Sequence, residues 1–401
     1  MKQVKKKNIK SKEEKAGNII AIYFLISPFL LLLFEAIGTK MYIIAVILML
    51  MAYFYCGKIT ITKRQILVIG ILMIWSLLSI SLYSEHLYNW FGMAYLLFGY
   101  SLPLMFFSGM VDEWGKVLEK IENWLPVMVI GNIAFFIFDV LCMDKTLGNM
   151  EVSYSLLSLA AITTLIFFKN KKKKLLLITI SSVVAIFMVG SRGPLLCYAA
   201  YVLLYLLNNA RKNIIPISLL IIVSLFVGFS YNRIIETVGD VMNDFGISSR
   251  TLYKLQNGTI TSDTGRSKIH SIVEDTIREN PIFGIGIGGD RIVIYEKHYH
   301  GQKDINSCYP HNIILEVLSD YGIVFGSLFL IIICILIVKK YLTSDYDQKN
   351  IILLLTSTEL IRLLLSSSYI RSPLFFLLLG IVMKNKTTRE EKNEDTNYIT
   401  E

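Results

Sequence analysis

Three short stretches hold residues whose types and positions could do chemistry. In "VGSRGPLL", Arg192 stands in a very short turn, and Gly190, Gly193 and Pro194 break the helices around it. A guanidinium held that rigidly can be aimed at an anion. It can also simply snorkel to lipid headgroups. In "SDTGRSKIHSIVEDTIRENPIFGIG", Arg266 follows Gly265 and opens an amphipathic run. Ile269, Ile272, Val273 and Ile277 recur at helical spacing, so 266–278 reads as a helix capped by Asp263 or Thr264 and stopped at Asn280-Pro281. A cation in the first turn opposes the helix dipole, a hint that Arg266 is held there for function. In "CYPHNIILEVLSDYG", His311 opens a helix directly after Pro310. Ile313, Ile314, Val317 and Leu318 line one face, and Glu316 and Asp320 lie on the other. A lone histidine is usually structural. One at a helix start, on the same side as two oddly placed arginines, is a candidate for chemistry.

The same region contains "ENPIFGIGIGGDRI", where Gly284-x-Gly286-x-x-Gly289 has the spacing of a dinucleotide-binding loop. That chemistry needs a strand before the glycines and a helix after them in a βαβ unit, and no such pattern surrounds these. The other reading is a tight turn whose backbone approaches another surface closely. The five cysteines, Cys56, Cys142, Cys197, Cys308 and Cys334, make no CxxC, no metal spacing and no disulfide framework.

What must position these residues is a membrane bundle. Apolar residues make up 54% of the 401 and charged ones 18%, against about 45–50% and about 25% in soluble domains. They come in blocks, and a block of about 20 crosses a bilayer as a helix. Twelve blocks are legible, at 19–36, 41–56, 65–83, 89–108, 125–142, 153–168, 174–189, 194–208, 214–230, 318–338, 350–368 and 372–383. Those at 41–56, 153–168, 194–208 and 372–383 are short for a span, so eleven or ten crossings would also fit. The expected fold is all-α and polytopic, with about 12 transmembrane helices. No small-residue cleavage site follows the first block, so it reads as a span rather than a signal peptide.

Lysine and arginine in connections stay cytoplasmic. With the N-terminus inside, the inner segments hold 26 of them, and the short outer loops hold only Lys40, Lys145, Arg192 and Arg371. The expected organisation is then an inner tail at 1–18, about nine spans in 19–230, a large extracytoplasmic loop at 231–310, about three spans in 311–383, and an inner tail at 384–401. The large loop has nine basic and ten acidic residues, which suits a folded surface. It also carries the glycine run to the side where ATP and NAD are scarce, which argues against a nucleotide. The net charge of +9 is accounted for by topology signals and needs no nucleic acid. Helix 266–278 is expected to lie on the membrane surface.

Little polarity falls at mid-membrane. Glu35 and Asp139 lie near the outer ends of their spans. Glu359 and Arg362 are three apart, share a helix face and can pair, or Arg362 can point into an outer site.

Together, "GSRGPLL", "GRSKIHSIVEDTIRENPIFGIGIGG" and "HNIILEVLSDYGIVFGSLFLI" resemble the O-antigen polymerase and ligase superfamily, membrane glycosyltransferases that act on polyprenyl-diphosphate-linked oligosaccharides. The run from Gly265 to Ile331 is the most specific part. It departs from the family where a bulky aromatic often follows the Gly-Arg, since Ile269-His270 stands there. The resemblance implies a protein of the bacterial cytoplasmic membrane with an extracytoplasmic active site. Its donor would be a glycan on undecaprenyl diphosphate, and its acceptor a lipid-linked repeat unit. Arg192 and Arg266, with Arg371 as a third, would clamp the leaving diphosphate. His311 would take the acceptor's proton. Glu316 would orient His311 or bind sugar, and Asn312, Gly284 and Gly286 would contact substrate. No cofactor, metal or nucleotide is implied, because the donor is already activated. A chain-length regulator and a flippase would work beside it.

The same residues fit a polymerase of repeat units for capsule, O-antigen or exopolysaccharide. They equally fit a ligase that moves finished glycan to a cell-surface acceptor. A flippase for lipid-linked oligosaccharides, from another functional class, predicts two similar halves and a polar mid-membrane cavity. The sequence displays neither.

Overall fold

In the computed structural model, the residues described are 14–24, 47, 50–57, 61–142, 146–147, 150–189, 192–208, 237, 239–240, 244, 248–249 and 266–384. The first helix needed here, α1 (Lys63–Leu82), starts from a capping box in which Thr62 and Gln65 satisfy each other's amides. Helices α2 (Leu87–Ala94) and α3 (Pro103–Gly109) are joined through a π-helical stretch at 95–101. Pro103 has no amide hydrogen for the helical ladder, and Leu102 N reaches five residues back to Leu97 O. Then come α4 (Trp114–Cys142), α5 (Met150–Asn170), α6 (Lys173–Val189) and α7 (Arg192–Asn208). Two shorter helices follow, α8 (Arg266–Glu279) and α9 (Gly289–Lys297). The long α10 (Ile313–Thr343) leads to α11 (Tyr346–Leu355), a π turn at 356–360, α12 (Ile361–Leu365) and α13 (Pro373–Met383).

Among the described residues, five stretches are long and apolar enough to cross a membrane: Lys63–Leu82, Trp90–Gly109, Trp114–Ile137, Val152–Asn170 and Ile313–Thr343. The chain is therefore a multi-pass membrane protein, and its described residues are helical apart from turns, connections and a two-residue parallel pairing of Thr146–Leu147 with Ser248–Ser249. The apolar blocks expected at 65–83, 89–108, 125–142, 153–168 and 318–338 fall on these five. Those at 174–189, 194–208, 350–368 and 372–383 fall on α6, α7, the broken α11–α12 run and α13. The block at 214–230, parts of those at 19–36 and 41–56, the cap at Asp263 or Thr264, and most of both tails lie outside the described residues. Helix α13 is apolar on every side and buried along its whole length, as such a helix must be.

Three local expectations are corrected. The connection left between the apolar blocks at 89–108 and 125–142 is helical from Trp114, whose side chain is buried and anchors the start of α4. The short helix at His311 and the span at 318–338 form one rod, bent where Gly322 takes φ 77°. The apolar face of α8 is covered by protein rather than lipid. Ile269, Val273 and Ile277 pack with Ile294 of α9, with Cys308, and with Leu315 and Leu318 of α10.

The glycine run follows helix α8, not a strand, and lies between α1 and α10. A Cβ on Gly322 would stand 2.3 Å from Ile282 O, and one on Gly284 would stand 2.4 Å from Ser319 O. Both glycines have positive φ. Gly322→Ala combines left-handed strain with overpacking and is expected to destabilise by about 2–4 kcal/mol. Gly70→Ala, with nothing within 4 Å of the added carbon, is the matched control. Thermal inactivation of the detergent-solubilised pair checks this, and equal midpoints would refute it.

Candidate active site

The site is organised by a break in helix. Helix α12 ends at Leu365, and residues 366–372 cross as a strap before α13 begins at Pro373. Helix ends leave carbonyls without intrahelical partners. Arg266 Nη1 donates to Leu365 O at 2.8 Å. The start of its own helix repels a cation, while the carbonyl end of α12 attracts one. His311 Nδ1 lies 3.1 Å from Ser366 O. A carbonyl only accepts, so Nδ1 carries the proton and Nε2 keeps its lone pair. Arg266 and His311 are thereby fixed on adjacent carbonyls. The Tyr309 ring lies 4.3 Å from the imidazole, and the Arg371 guanidinium lies 5.8 Å from the Tyr309 ring.

His311 has φ 59°, a strained conformation for a residue with a side chain. Burial pushes its imidazole down to about 4. The Ser366 carbonyl opposes that shift, while the charges of Arg266, Lys303 and Arg371 reinforce it. At neutral pH the ring is therefore an uncharged acceptor at Nε2, near these three cations. That arrangement can take a proton from a hydroxyl while the cations hold an anion.

Under the strap lies a buried network. Glu316 accepts from Tyr369 N at 3.1 Å and from Ser368 Oγ, and approaches Arg291 Nη2 at 3.6 Å. The side chains of Arg291 and Glu316 are both 0% exposed. Arg291 also donates to Asn306 O and Ser368 Oγ. Asp320 accepts from Tyr369 Oη at 2.6 Å and from Gly288 N at 3.1 Å. Glu316 was expected to orient His311 or bind sugar. Its oxygens meet Ser368 and Tyr369 of the strap that also carries Ser366, the partner of His311.

Three other expected residues have structural roles here. Asn312 Oδ1 accepts from Ile314 N at 2.9 Å and Leu315 N at 3.3 Å, so it caps α10. Gly284 and Gly286 face the chain's own backbone, and a Cβ on Gly286 would stand 2.5 Å from Ser79 N. Both glycines pack tightly against that backbone.

Arg192 is exposed and opens α7. A Cβ on the next residue, Gly193, would stand 2.6 Å from Tyr154 Oη, and Arg362 lies 4.1 Å over that Tyr154 ring. Leu195, Cys197 and Tyr198 of α7 share one apolar cluster with Leu365. The helix that Arg192 opens thus belongs to the cluster that holds Arg266's carbonyl partner. Arg362 and Glu359, expected to pair from their spacing, approach at 3.9 Å, and Glu359 accepts from Ser372 Oγ at 3.1 Å.

Sequence reasoning missed Arg291. Its signal was a lone arginine inside the apolar run "GGDRIVI", which reads as a helix start and nothing more. Ser366 and Ser368 carry no signal of their own, because "LLLSSSY" reads as the end of a span.

No curated protein matches the chain. Residues 175–330, less than half of the chain, match the family model described as O-antigen ligase. The matched part takes in Arg192, Arg266, the glycine run, Arg291, His311 and Glu316, and stops short of the strap. Over residues 175–330 the chain is thus similar to the O-antigen ligase family.

Proposed function

We propose that this protein is a membrane glycosyltransferase that polymerises undecaprenyl-diphosphate-linked oligosaccharide repeat units for capsule, O-antigen or exopolysaccharide. It would work at the outer face of the bacterial cytoplasmic membrane, the side to which the lysine and arginine distribution assigns the 231–310 loop. The observation that carries the reading is the placing of Arg266 and His311 on neighbouring carbonyls, with Arg371 across Tyr309.

The chemistry balances with these residues alone. The acceptor hydroxyl oxygen bonds to the anomeric carbon of the donor, and its proton passes to His311 Nε2. The bond from that carbon to the diphosphate breaks, and the electron pair leaves with the diphosphate. Arg266 and Arg371, with Arg192 contributed from α7, receive the growing charge, which planar guanidinium groups do well. A bound diphosphate would offset the cations that depress His311, so donor binding would strengthen the base. A chain-length regulator and a flippase would be its neighbours in the pathway. The ligase reading is favoured by one observation, the description of the matched family. It uses the same site with a different acceptor.

The length distribution of surface polysaccharide in cells carrying Arg266→Lys, at matched protein level, tests this. Lysine keeps the charge and loses the fork. Loss of long chains, with single repeat units still reaching the surface, is the expected result. Finished chains left on the carrier lipid would make the protein a ligase. Repeat units trapped on the inner leaflet would make it a flippase. Unchanged chains would remove Arg266 from the site.

A further inference from the structure

We propose that residues 281–288 form a re-entrant segment, dipping into one leaflet and presenting Ile282 and Phe283 to lipid acyl chains. The first support is depth. Phe283 O accepts from Trp75 Nε1 at 3.0 Å, and Ile287 N lies 3.4 Å from Trp75 O. Trp75 is seven residues before the end of α1, or about 10 Å along its axis. On the other side, the segment meets α10 at Ser319 to Ile323, similarly far inside that helix.

The second support is hydrogen-bond accounting. Hydrocarbon tolerates non-helical backbone only where protein satisfies its polar groups. Gly284 N donates to Asn280 O at 3.2 Å, Ile285 N to Ser319 O at 2.9 Å, and Gly286 N to Asp320 O at 3.0 Å. Gly288 N donates to Asp320 Oδ1 at 3.1 Å, and Gly289 N to Gly286 O at 3.1 Å. With Ile287 this accounts for every amide from 284 to 289. The bend at Gly322 supplies the matching groups. In a straight helix Ile323 N would bond Ser319 O. Here Ile323 N donates instead to Pro281 O at 2.7 Å, which leaves Ser319 O for Ile285. A loop in water would have no need of this exchange.

The third support is the outward face. Ile285 and Ile287 point inward, 3% and 2% exposed, while Ile282 and Phe283 are 53% and 58% exposed. The Phe283 ring stacks 5.5 Å from Phe325 of α10. Ile74 of α1 and Val324 and Leu328 of α10 are also exposed. Ile282 and Phe283 therefore continue the surfaces that two membrane-length helices turn to hydrocarbon. No charged residue interrupts "PIFGIGIGG". Lipid, rather than another protein, is the occupant that this continuity selects. The inference holds whichever transfer reaction the site performs.

The test uses the full chain in lipid nanodiscs, with its five native cysteines replaced and a nitroxide attached through Ile282→Cys or Phe283→Cys. Leu328→Cys serves as the lipid reference. Asp275→Cys, whose native side chain is 61% exposed, serves as the water reference. Labels at 282 and 283 are expected to collide with dissolved oxygen and lose broadening by a water-soluble nickel chelate, as at 328. Nickel broadening as strong as at 275 would overturn the proposal. Protection from both reagents would mean a protein cover and would overturn it as well. If the cysteine-free chain fails to fold, Phe283→Trp in the native background carries the same test, through quenching by brominated acyl chains.

Discussion

Replacing His311 with alanine is expected to lower the transfer rate by about two to four orders of magnitude, the range for a lost general base. Donor affinity should change far less, because Arg266 and Arg371 keep their places. His311→Gln separates chemistry from architecture. The glutamine amide can still donate to Ser366 O, whose contact with Nδ1 is 3.1 Å, but it supplies no base. It should keep the stability of the parent and the low rate of the alanine variant. A glutamine variant with near-parental activity would remove His311 from proton transfer. The pH dependence gives a second check. The active form is the neutral ring, so the rate should fall as pH falls through the folded value. Burial sets that value at about 4, so the acid limb of kcat/KM belongs there rather than near 6.5. Below the limb the protonated ring can accept nothing. The limb in kcat should lie higher, because a bound diphosphate neutralises the cations around the ring. An acid limb near 6.5 in kcat/KM would mean that some other group is titrating.

What could be read from the sequence divides along a physical line. Long apolar blocks report themselves, because each must satisfy its backbone within the segment and meet lipid or protein along its length. The positions of α1, α5 and α10 were accordingly legible. Amphipathicity says that a face is covered and not by what, so α8 was assigned to the membrane, although α9 and α10 cover it. Arg266 and His311 stood out as types in odd places. What joins them is the pair of carbonyls at Leu365 and Ser366, and no pattern encodes a carbonyl. Glu316 was correctly placed on the polar face of its helix, but that face turns inward onto Arg291 and the strap. Burial of such a pair depends on partners distant in the chain, which one helix period cannot reveal.

The largest effect on stability is expected from Arg291→Met, a loss of about 3–5 kcal/mol, because a buried charge is left without its partner. Arg291 is the cation among three buried carboxylates, Asp290, Glu316 and Asp320. Burial already pushes Asp290 up to about 6, with the Arg291 charge opposing it. Removing that charge leaves Glu316 buried without its cation. Glu316→Gln should be milder. The amide oxygen can still accept from Tyr369 N, and Arg291 keeps Asn306 O and Ser368 Oγ. The double variant should recover much of what Arg291→Met loses, since methionine beside glutamine leaves no unpaired charge at that contact. This coupling separates a paired charge from two independent packing losses, because independent losses would add. Denaturant midpoints of the solubilised protein give the cycle, and additive losses would rule the pair out as the source. Activity should follow the strap. Where Ser368 and Tyr369 lose their hold on Glu316, the neighbouring carbonyls that fix Arg266 and His311 move with them.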